Sequence, residues 1–137
     1  MLARRDHARA ELERRLVERG FGAVEVASAL DDLERRGYLS DARIAADIVE
    51  RHRERSGRYA IEALLRRKGV AASARTDALA TLAGRDEFDD ACRLWSKRFG
   101  EAPADERERA RQYRFLLARG YTVETIARVL RAAAERD

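Results

Sequence analysis

The sequence predicts an all-α protein built from tandem helical repeats. Strand patterns are nearly absent, because β-branched and aromatic residues do not alternate with polar ones. Apolar residues instead recur three or four positions apart, as one face of a helix requires. Of the 137 residues, 45% are hydrophobic and 39% are charged, and there is a single proline. This composition is typical of helical domains and excludes collagen-like and disordered chains.

Glycines divide the apolar stripes into eight predicted helices. Each of the eight glycines lies at or beside a break in a stripe, where a left-handed residue ends a helix at little cost. Pro103, followed by Asp105 and Glu106, predicts a further helix start, since proline suits the first turn and acids complement the helix dipole. The predicted helices span residues 5–19, 23–36, 41–55, 57–68, 72–83, 86–99, 103–119 and 122–135.

An internal repeat appears when three glycines are aligned. Gly20, Gly69 and Gly120 lie 49 and 51 residues apart, and each has a leucine four positions before it and another ten positions after it. Val26 and Ile126 occupy matching apolar positions, whereas Arg75 interrupts the middle copy. A period near 50 predicts stacked units that share cores with their neighbours. The expected units are a three-helix repeat over 1–56, a second over 57–101 and an incomplete two-helix repeat over 102–137.

The residue types that carry catalysis or bind metals do not converge in the sequence. His7 and His52 are isolated, with no further ligand at metal-binding spacing, and are expected on helix surfaces. Cys92 lies on a core stripe with Phe88, Trp95 and Phe99, and a reactive thiol is the minor alternative. We therefore expect no catalytic, cofactor or metal site.

Other features exclude further classes of function. The acid pairs Asp31–Asp32 and Asp89–Asp90 are adjacent on helices, so their side chains diverge. No phosphate-binding loop of the G-x-x-x-x-G-K-[ST] type is present. No apolar run approaches the roughly 20 residues that span a bilayer, and the chain begins without an apolar signal segment. A single cysteine is also consistent with a cytoplasmic protein.

The charge distribution predicts one binding surface. The chain carries a net charge of +4, but residues 51–75 alone hold eight basic and two acidic residues. Guanidinium groups bind phosphates and carboxylates bidentately. A solvated helix face with ion pairs from Glu62 to Arg58 and Arg66 is the alternative, to which we give equal weight. The candidate surface, called the basic ridge below, consists of Arg51, Arg55, Arg58, Arg66, Arg67 and Lys68.

Two further groups of residues are expected to be structural. Phe21, Tyr38 and Tyr121 each follow a glycine that ends a helix, where a hydrophobic contact with the helix end is usual. We therefore expect them in the core and not as platforms for stacking bases. A second basic stretch is interpreted as a solvated face, because its charges are expected to scatter around their helix. It contains Arg107, Arg109, Arg111, Arg114 and Arg119.

Four blocks of sequence, in order, resemble the RecX family of bacterial regulators of the RecA recombinase. The first runs from Arg4 to Leu12 and continues to Gly20-Phe21. The others are Gly37-Tyr-Leu-Ser-Asp-Ala-Arg-Ile-Ala45, then Gly57-Arg-Tyr-Ala-Ile61 leading into Leu64-Leu-Arg-Arg-Lys-Gly-Val70, and finally Arg114-Phe-Leu-Leu-Ala-Arg-Gly-Tyr121 ending at Val129-Leu130. Together the blocks span nearly the whole chain, and their shared order makes the match specific.

The resemblance implies both a shape and a function. It implies an elongated, curved, right-handed stack of helix-turn-helix-like three-helix units. The repeat period itself predicts an elongated monomer, and the residues predict no cofactor. The resemblance also implies binding to the RecA–DNA filament and inhibition of RecA ATPase, filament growth and strand exchange. The basic stretch over 51–75 predicts weak, non-specific affinity for single- or double-stranded DNA. The alternative is a sequence-independent DNA-binding module that acts without RecA. Base-specific readout is disfavoured, because the chain has no asparagine and only one glutamine, Gln112.

Overall fold

The computed structural model describes residues 8–136, and this part of the chain is helical with no strand. Every predicted helix is present, and the described ends differ from the predicted ones by no more than three residues. The predicted start of the first helix and His7 lie outside the described residues. The helices are α1 (Arg9–Glu18), α2 (Ala23–Arg35), α3 (Asp41–His52), α4 (Arg58–Arg67), α5 (Ala72–Ala80), α6 (Phe88–Arg98), α7 (Glu106–Ala118) and α8 (Val123–Arg136).

The helix start predicted at Pro103 is wrong by three residues. Helix α7 begins at Glu106, and Asp105 is its N-cap. The Asp105 carboxylate accepts a hydrogen bond from the Glu108 backbone N–H at 2.8 Å. The helix therefore begins where a side chain satisfies an exposed backbone donor, which proline cannot do.

The glycines of the three aligned repeats end their helices in the same way. The N–H groups of Phe21, Val70 and Tyr121 donate to the carbonyls of the leucines five positions earlier, and each glycine N–H donates three positions back. This double hydrogen-bond pattern is the Schellman motif. Gly20, Gly69 and Gly120 have φ of 98°, 77° and 89°. These φ values confirm the expected left-handed helix ends.

The described helices form two compact units. The first contains the described residues of Met1–Glu50 together with Ala63–Thr81, and the second contains Arg51–Glu62 and Leu82–Asp137. The repeat boundaries near residues 56 and 101 remain a prediction.

The first unit is held together by an apolar cluster and a shared carboxylate. Val26, Leu30 and Leu39 are buried, and leucines of α1 and α2 pack against them. Asp41 accepts hydrogen bonds from the backbone N–H of Arg9 at 3.1 Å and of Ala71 at 2.8 Å. One side chain therefore satisfies backbone donors at the starts of both α1 and α5.

The second unit has a core formed by α6, α7 and α8. Its buried cluster consists of Ala91, Trp95, Leu116, Tyr121, Ile126, Val129, Leu130 and Ala133. The hydrophobic residues of the predicted stripe around Cys92 pack in or against this cluster, which confirms that stripe as a core face.

Two glycines allow the start of α4 to lie against the end of α7 in this unit. Gly57 N–H donates to the Arg119 carbonyl at 2.7 Å, and Tyr59 N–H donates to the Gly120 carbonyl at 3.2 Å. A Cβ atom on Gly120 would lie 2.3 Å from the backbone nitrogen of Ala60. Only glycine allows the two backbones to approach so closely.

The three aromatic residues expected in the core behave differently. Tyr121 is 1% exposed, as predicted, but Phe21 is 59% and Tyr38 is 60% exposed, so the prediction is wrong for these two. The Schellman motif positions each side chain only beside its own helix end. Burial requires other helices packed over that end, and Tyr121 lies in the cluster formed by α6, α7 and α8.

Arg75, which interrupts the middle repeat, is accommodated by a local hydrogen bond. Its side chain is half-buried, and its guanidinium Nη1 donates to the Val70 carbonyl at 2.8 Å. The aliphatic part of the side chain can therefore lie at a half-buried position while the guanidinium is hydrogen-bonded to a backbone carbonyl.

Candidate interaction surface

The isolated histidine and cysteine have environments that suit structural roles. His52 is half-buried at the end of α3, and burial, together with the charges of Arg55 and Arg51, lowers its pKa. Burial raises the pKa of the Cys92 thiol, so the thiol stays protonated and is a poor nucleophile. Within residues 8–136, no group of three or more His, Cys, Asp or Glu side chains could hold a metal ion.

The acid pairs diverge as expected, and their members have different partners. Asp90 is buried, whereas Asp89 is exposed. Buried carboxylates require paired charges or hydrogen bonds, and two arginines supply them to Asp90. The ion pairs are Arg9–Asp31, Arg36–Asp32, Arg85–Asp90 and Arg93–Asp90. The buried, doubly paired Asp90 therefore serves the fold.

Three members of the basic ridge belong to the first unit. Arg66 and Arg67 end α4, and Lys68 follows directly. All three side chains are exposed. Cations at a helix C-terminus interact favourably with the helix dipole, so three positive charges can lie close together here at a modest cost in free energy.

The other three members belong to the second unit. Arg51, Arg55 and Arg58 are all exposed. The Arg55 guanidinium donates to the Arg51 carbonyl at 3.1 Å, and the Arg58 backbone N–H donates to a carboxylate oxygen of Glu87 at 2.7 Å. The second contact satisfies the first donor of α4 without using the Arg58 side chain.

Gln112 is buried and already engaged in hydrogen bonds. Its side chain accepts from the Trp95 indole N–H at 2.7 Å and donates to the Glu101 carbonyl at 3.1 Å. Gln112 is 1% exposed, so it cannot reach a base edge. This placement supports the inference that the protein does not read DNA sequence through amide side chains.

The expected scatter of the second basic stretch holds for Arg109 and Arg119 but not for its other three arginines. Arg107, Arg111 and Arg114 are four and three residues apart and line one groove, together with Arg98 from α6. Arg109 lines a different groove. Arg98 could not be found from the sequence, because nothing in the spacing of the chain indicates that α6 lies beside these arginines.

The described helices include none that is long and apolar enough to cross a membrane. The fold and surface together define a class of protein: tandem three-helix units that present clustered basic side chains to solvent.

Family models place the chain within this class. The model for the third three-helix domain of RecX matches residues 85–130, and the model for the first three-helix domain of RecX matches residues 1–33. The regulatory protein RecX of Leptothrix cholodnii is 46% identical over 132 residues, covering 96% of this chain and 83% of the relative. That of Chromobacterium violaceum is 36% identical over 137 residues, covering 100% and 88%. The chain belongs to the RecX family, as the resemblance of its sequence blocks predicted.

Solved structures agree at the level of the fold. The crystal structure of RecX from Lactobacillus salivarius has a TM-score of 0.78 at 18% identity, covering 98% of this chain and 90% of the other. A second crystal structure, of a regulatory protein RecX, has a TM-score of 0.78 at 21% identity, covering 93% and 66%. The prediction of an all-helical protein of three-helix units is confirmed.

Proposed function

We propose that this protein is a non-enzymatic, cytoplasmic, monomeric regulator that binds the RecA–DNA filament and inhibits RecA ATPase, filament growth and strand exchange. The observation that carries the proposal is the 46% identity to a regulatory protein RecX over nearly the whole chain. The residues add a physical reason, since both units expose basic side chains of the ridge.

The basic ridge is the proposed contact with the filament. A filament assembled on DNA presents phosphates and acidic side chains, and guanidinium groups bind both classes of anion. All six ridge side chains are exposed, so they are accessible to such a partner. The charge complementarity would mainly accelerate the association of the protein with the filament and orient the two partners.

DNA alone is proposed as a weak, non-specific ligand, single- or double-stranded. Binding through phosphates depends steeply on salt, because each contact releases condensed counterions. The burial of Gln112 supports contact with the backbone of DNA in preference to hydrogen bonds with base edges. A module that binds DNA without RecA remains the competing function.

The decisive experiment is a titration into RecA–single-stranded DNA filaments while ATP hydrolysis is followed. The hydrolysis rate should fall, and the double variant Arg66→Glu/Arg67→Glu should inhibit less. The matched control is Arg131→Glu/Arg136→Glu, which reverses two exposed arginines of α8 and should inhibit like the native chain. Circular dichroism should show native helix content for both variants.

Two outcomes would count against the proposal. Full ATPase activity at saturating protein in low salt, with DNA binding by this protein intact, would favour the module that acts without RecA. Equal loss of inhibition from both reversals would keep the inhibitory function and remove the ridge from the contact.

A further inference from the structure

Helices α6 and α7 bring three arginines around a pair of aromatic rings in the second unit. Phe99 and Phe115 meet edge to face, with ring centroids 5.4 Å apart and planes at 89°. Arg98 lies over both rings, at 5.8 and 5.6 Å from their centroids. Arg111 lies 5.4 Å from the Phe99 ring, and Arg119 lies 5.5 Å from the Phe115 ring. We call these five residues the arginine–phenylalanine cluster.

The cluster occupies the junction of two adjoining grooves. One, of about 580 Å³, is lined by Arg98, Phe99 and Arg111 together with Arg107 and Arg114. The other, of about 450 Å³, is lined by Arg98, Phe115 and Arg119 together with Leu94 and Lys97. Arg98 lines both, so the two grooves lie side by side on α6 and α7, and we call them together the track.

The track is electropositive. Its lining holds six basic and three acidic side chains, a net charge of +3, and the second groove has no acidic residue. Glu108, one of the three acids, is paired with Arg111 at 3.3 Å. Within residues 8–136 neither Arg98 nor Arg119 forms an ion pair, so their charge is directed to the rings and to solvent.

We propose that the arginine–phenylalanine cluster is a second interaction surface, which binds single-stranded nucleic acid through its phosphates and through stacking of unpaired bases on the guanidinium planes. Cation–π attraction to the neighbouring phenyl rings holds these arginines beside them, and a planar guanidinium can offer a face to an unpaired base. Positively charged grooves with such stacking platforms are how proteins bind single strands without reading sequence.

The planar geometry favours a nucleic acid over an acidic protein surface. Carboxylates bind guanidinium edges, and the phenylalanine rings beside the arginines add little to that contact. Base stacking requires exposed base faces, which a single strand has and a duplex conceals within its stack. The ligand class is therefore a single strand of DNA or RNA.

This surface rests on the part of the proposed function in which DNA alone is a ligand, and it gives single strands a site that shares no residue with the basic ridge. Its test contains no RecA, so a failure of RecA inhibition would leave this measurement unaffected.

The test is fluorescence anisotropy of a labelled oligothymidylate of 12 nucleotides, with an abasic oligonucleotide of the same length and charge as comparison. The native protein should bind the abasic strand about fivefold or more weakly, because stacking contributes strongly for each base. Duplex DNA of equal length should compete poorly.

Two triple variants separate charge from stacking. Arg98→Ala/Arg111→Ala/Arg119→Ala should weaken binding and reduce the slope of log affinity against log salt by about 2, since roughly 0.7 counterions are released per phosphate contact on single strands. Arg98→Lys/Arg111→Lys/Arg119→Lys should keep the slope but lose the preference for bases over abasic sites. Arg131→Ala/Arg136→Ala is the control, and it should bind like the native chain.

Several results would overturn the proposal. Equal binding of thymidylate and abasic strands by the native protein would exclude stacking. Equal affinity for a polyglutamate peptide of the same charge would indicate an acidic protein as the partner. Amide chemical-shift changes on titration should centre on residues 97–101 and 111–119, and changes confined to the ridge would place the single strand there instead.

Discussion

The hydrogen bond between Trp95 and Gln112 makes a quantitative prediction about the core of the second unit. Both residues are buried, at 4% and 1% exposure, and their side chains are joined by a 2.7 Å bond. Gln112→Met replaces the amide with an apolar chain of similar volume. The substitution leaves little empty space, so its effect on stability comes from the hydrogen bonds that are lost.

The expected loss follows from the groups left without partners. The buried indole N–H would have no acceptor, which costs about 1–3 kcal/mol. The Glu101 carbonyl would also lose its donor, but Glu101 is exposed, so water can replace that bond at small cost. We expect the free energy of unfolding to fall by about 2 kcal/mol, roughly a 30-fold change in the unfolding equilibrium.

Tryptophan fluorescence under urea denaturation is the appropriate assay. Trp95 is the only tryptophan in the chain, so its emission reports on the unit that contains the bond. With m near 2 kcal/mol per molar urea, the midpoint should fall by about 1 M. The matched control is Trp95→Phe, followed by tyrosine fluorescence and circular dichroism, alone and combined with Gln112→Met.

The double-mutant cycle distinguishes the hydrogen bond from general disruption. If the bond carries the effect, Gln112→Met should cost much less in the Trp95→Phe background, with a coupling energy of about 1–2 kcal/mol. Additive losses from the two substitutions would refute the reasoning and assign the destabilisation to packing.

Three other predictions concern the same unit. Tyr121→Phe should raise the free energy of unfolding by about 1 kcal/mol, because the buried hydroxyl makes no hydrogen bond within residues 8–136 and burial raises the pKa of Tyr121 to about 12. The control Tyr38→Phe, at an exposed site, should leave stability unchanged, and a lower urea midpoint for Tyr121→Phe would contradict the prediction. Gly120→Ala should lower the free energy of unfolding by more than about 3 kcal/mol, because a Cβ atom there would meet the backbone of Ala60. Gly20→Ala, with open space at a similar φ, should lower it by only about 1 kcal/mol. Equal losses of stability in thermal unfolding would contradict the steric argument. Acidification should reduce stability as the pH falls through about 6.5, because the pKa of His52 is lower in the folded chain and the unfolded chain therefore takes up the proton first. In His52→Gln the urea midpoint should depend less on pH over this range. An unchanged pH dependence would assign the effect to other groups.

The helices and their ends could be predicted from sequence because they depend on neighbours a few positions away. Hydrogen bonds within a helix join residues four apart, and the Schellman motif at Gly20, Gly69 and Gly120 joins residues no more than five apart. The predicted start at Pro103 failed for a local reason too, since the capping carboxylate of Asp105 is the stronger signal. The family could also be recognised from the sequence, because four blocks that resemble it occur in the same order along the chain.

Burial and the grouping of charges depended on the tertiary structure. Phe21 and Tyr121 follow equivalent glycines in equivalent caps, yet only Tyr121 is covered by other helices. Arg98 and Arg111 are 13 residues apart and lie over the same ring only because α6 packs against α7. The sequence by itself determined where helices form and which family they build, since those signals are short-range or follow chain order. The tertiary structure decided which side chains lie in the core and which basic groups share a groove, because contacts between helices join residues whose spacing along the chain carries no periodic signal.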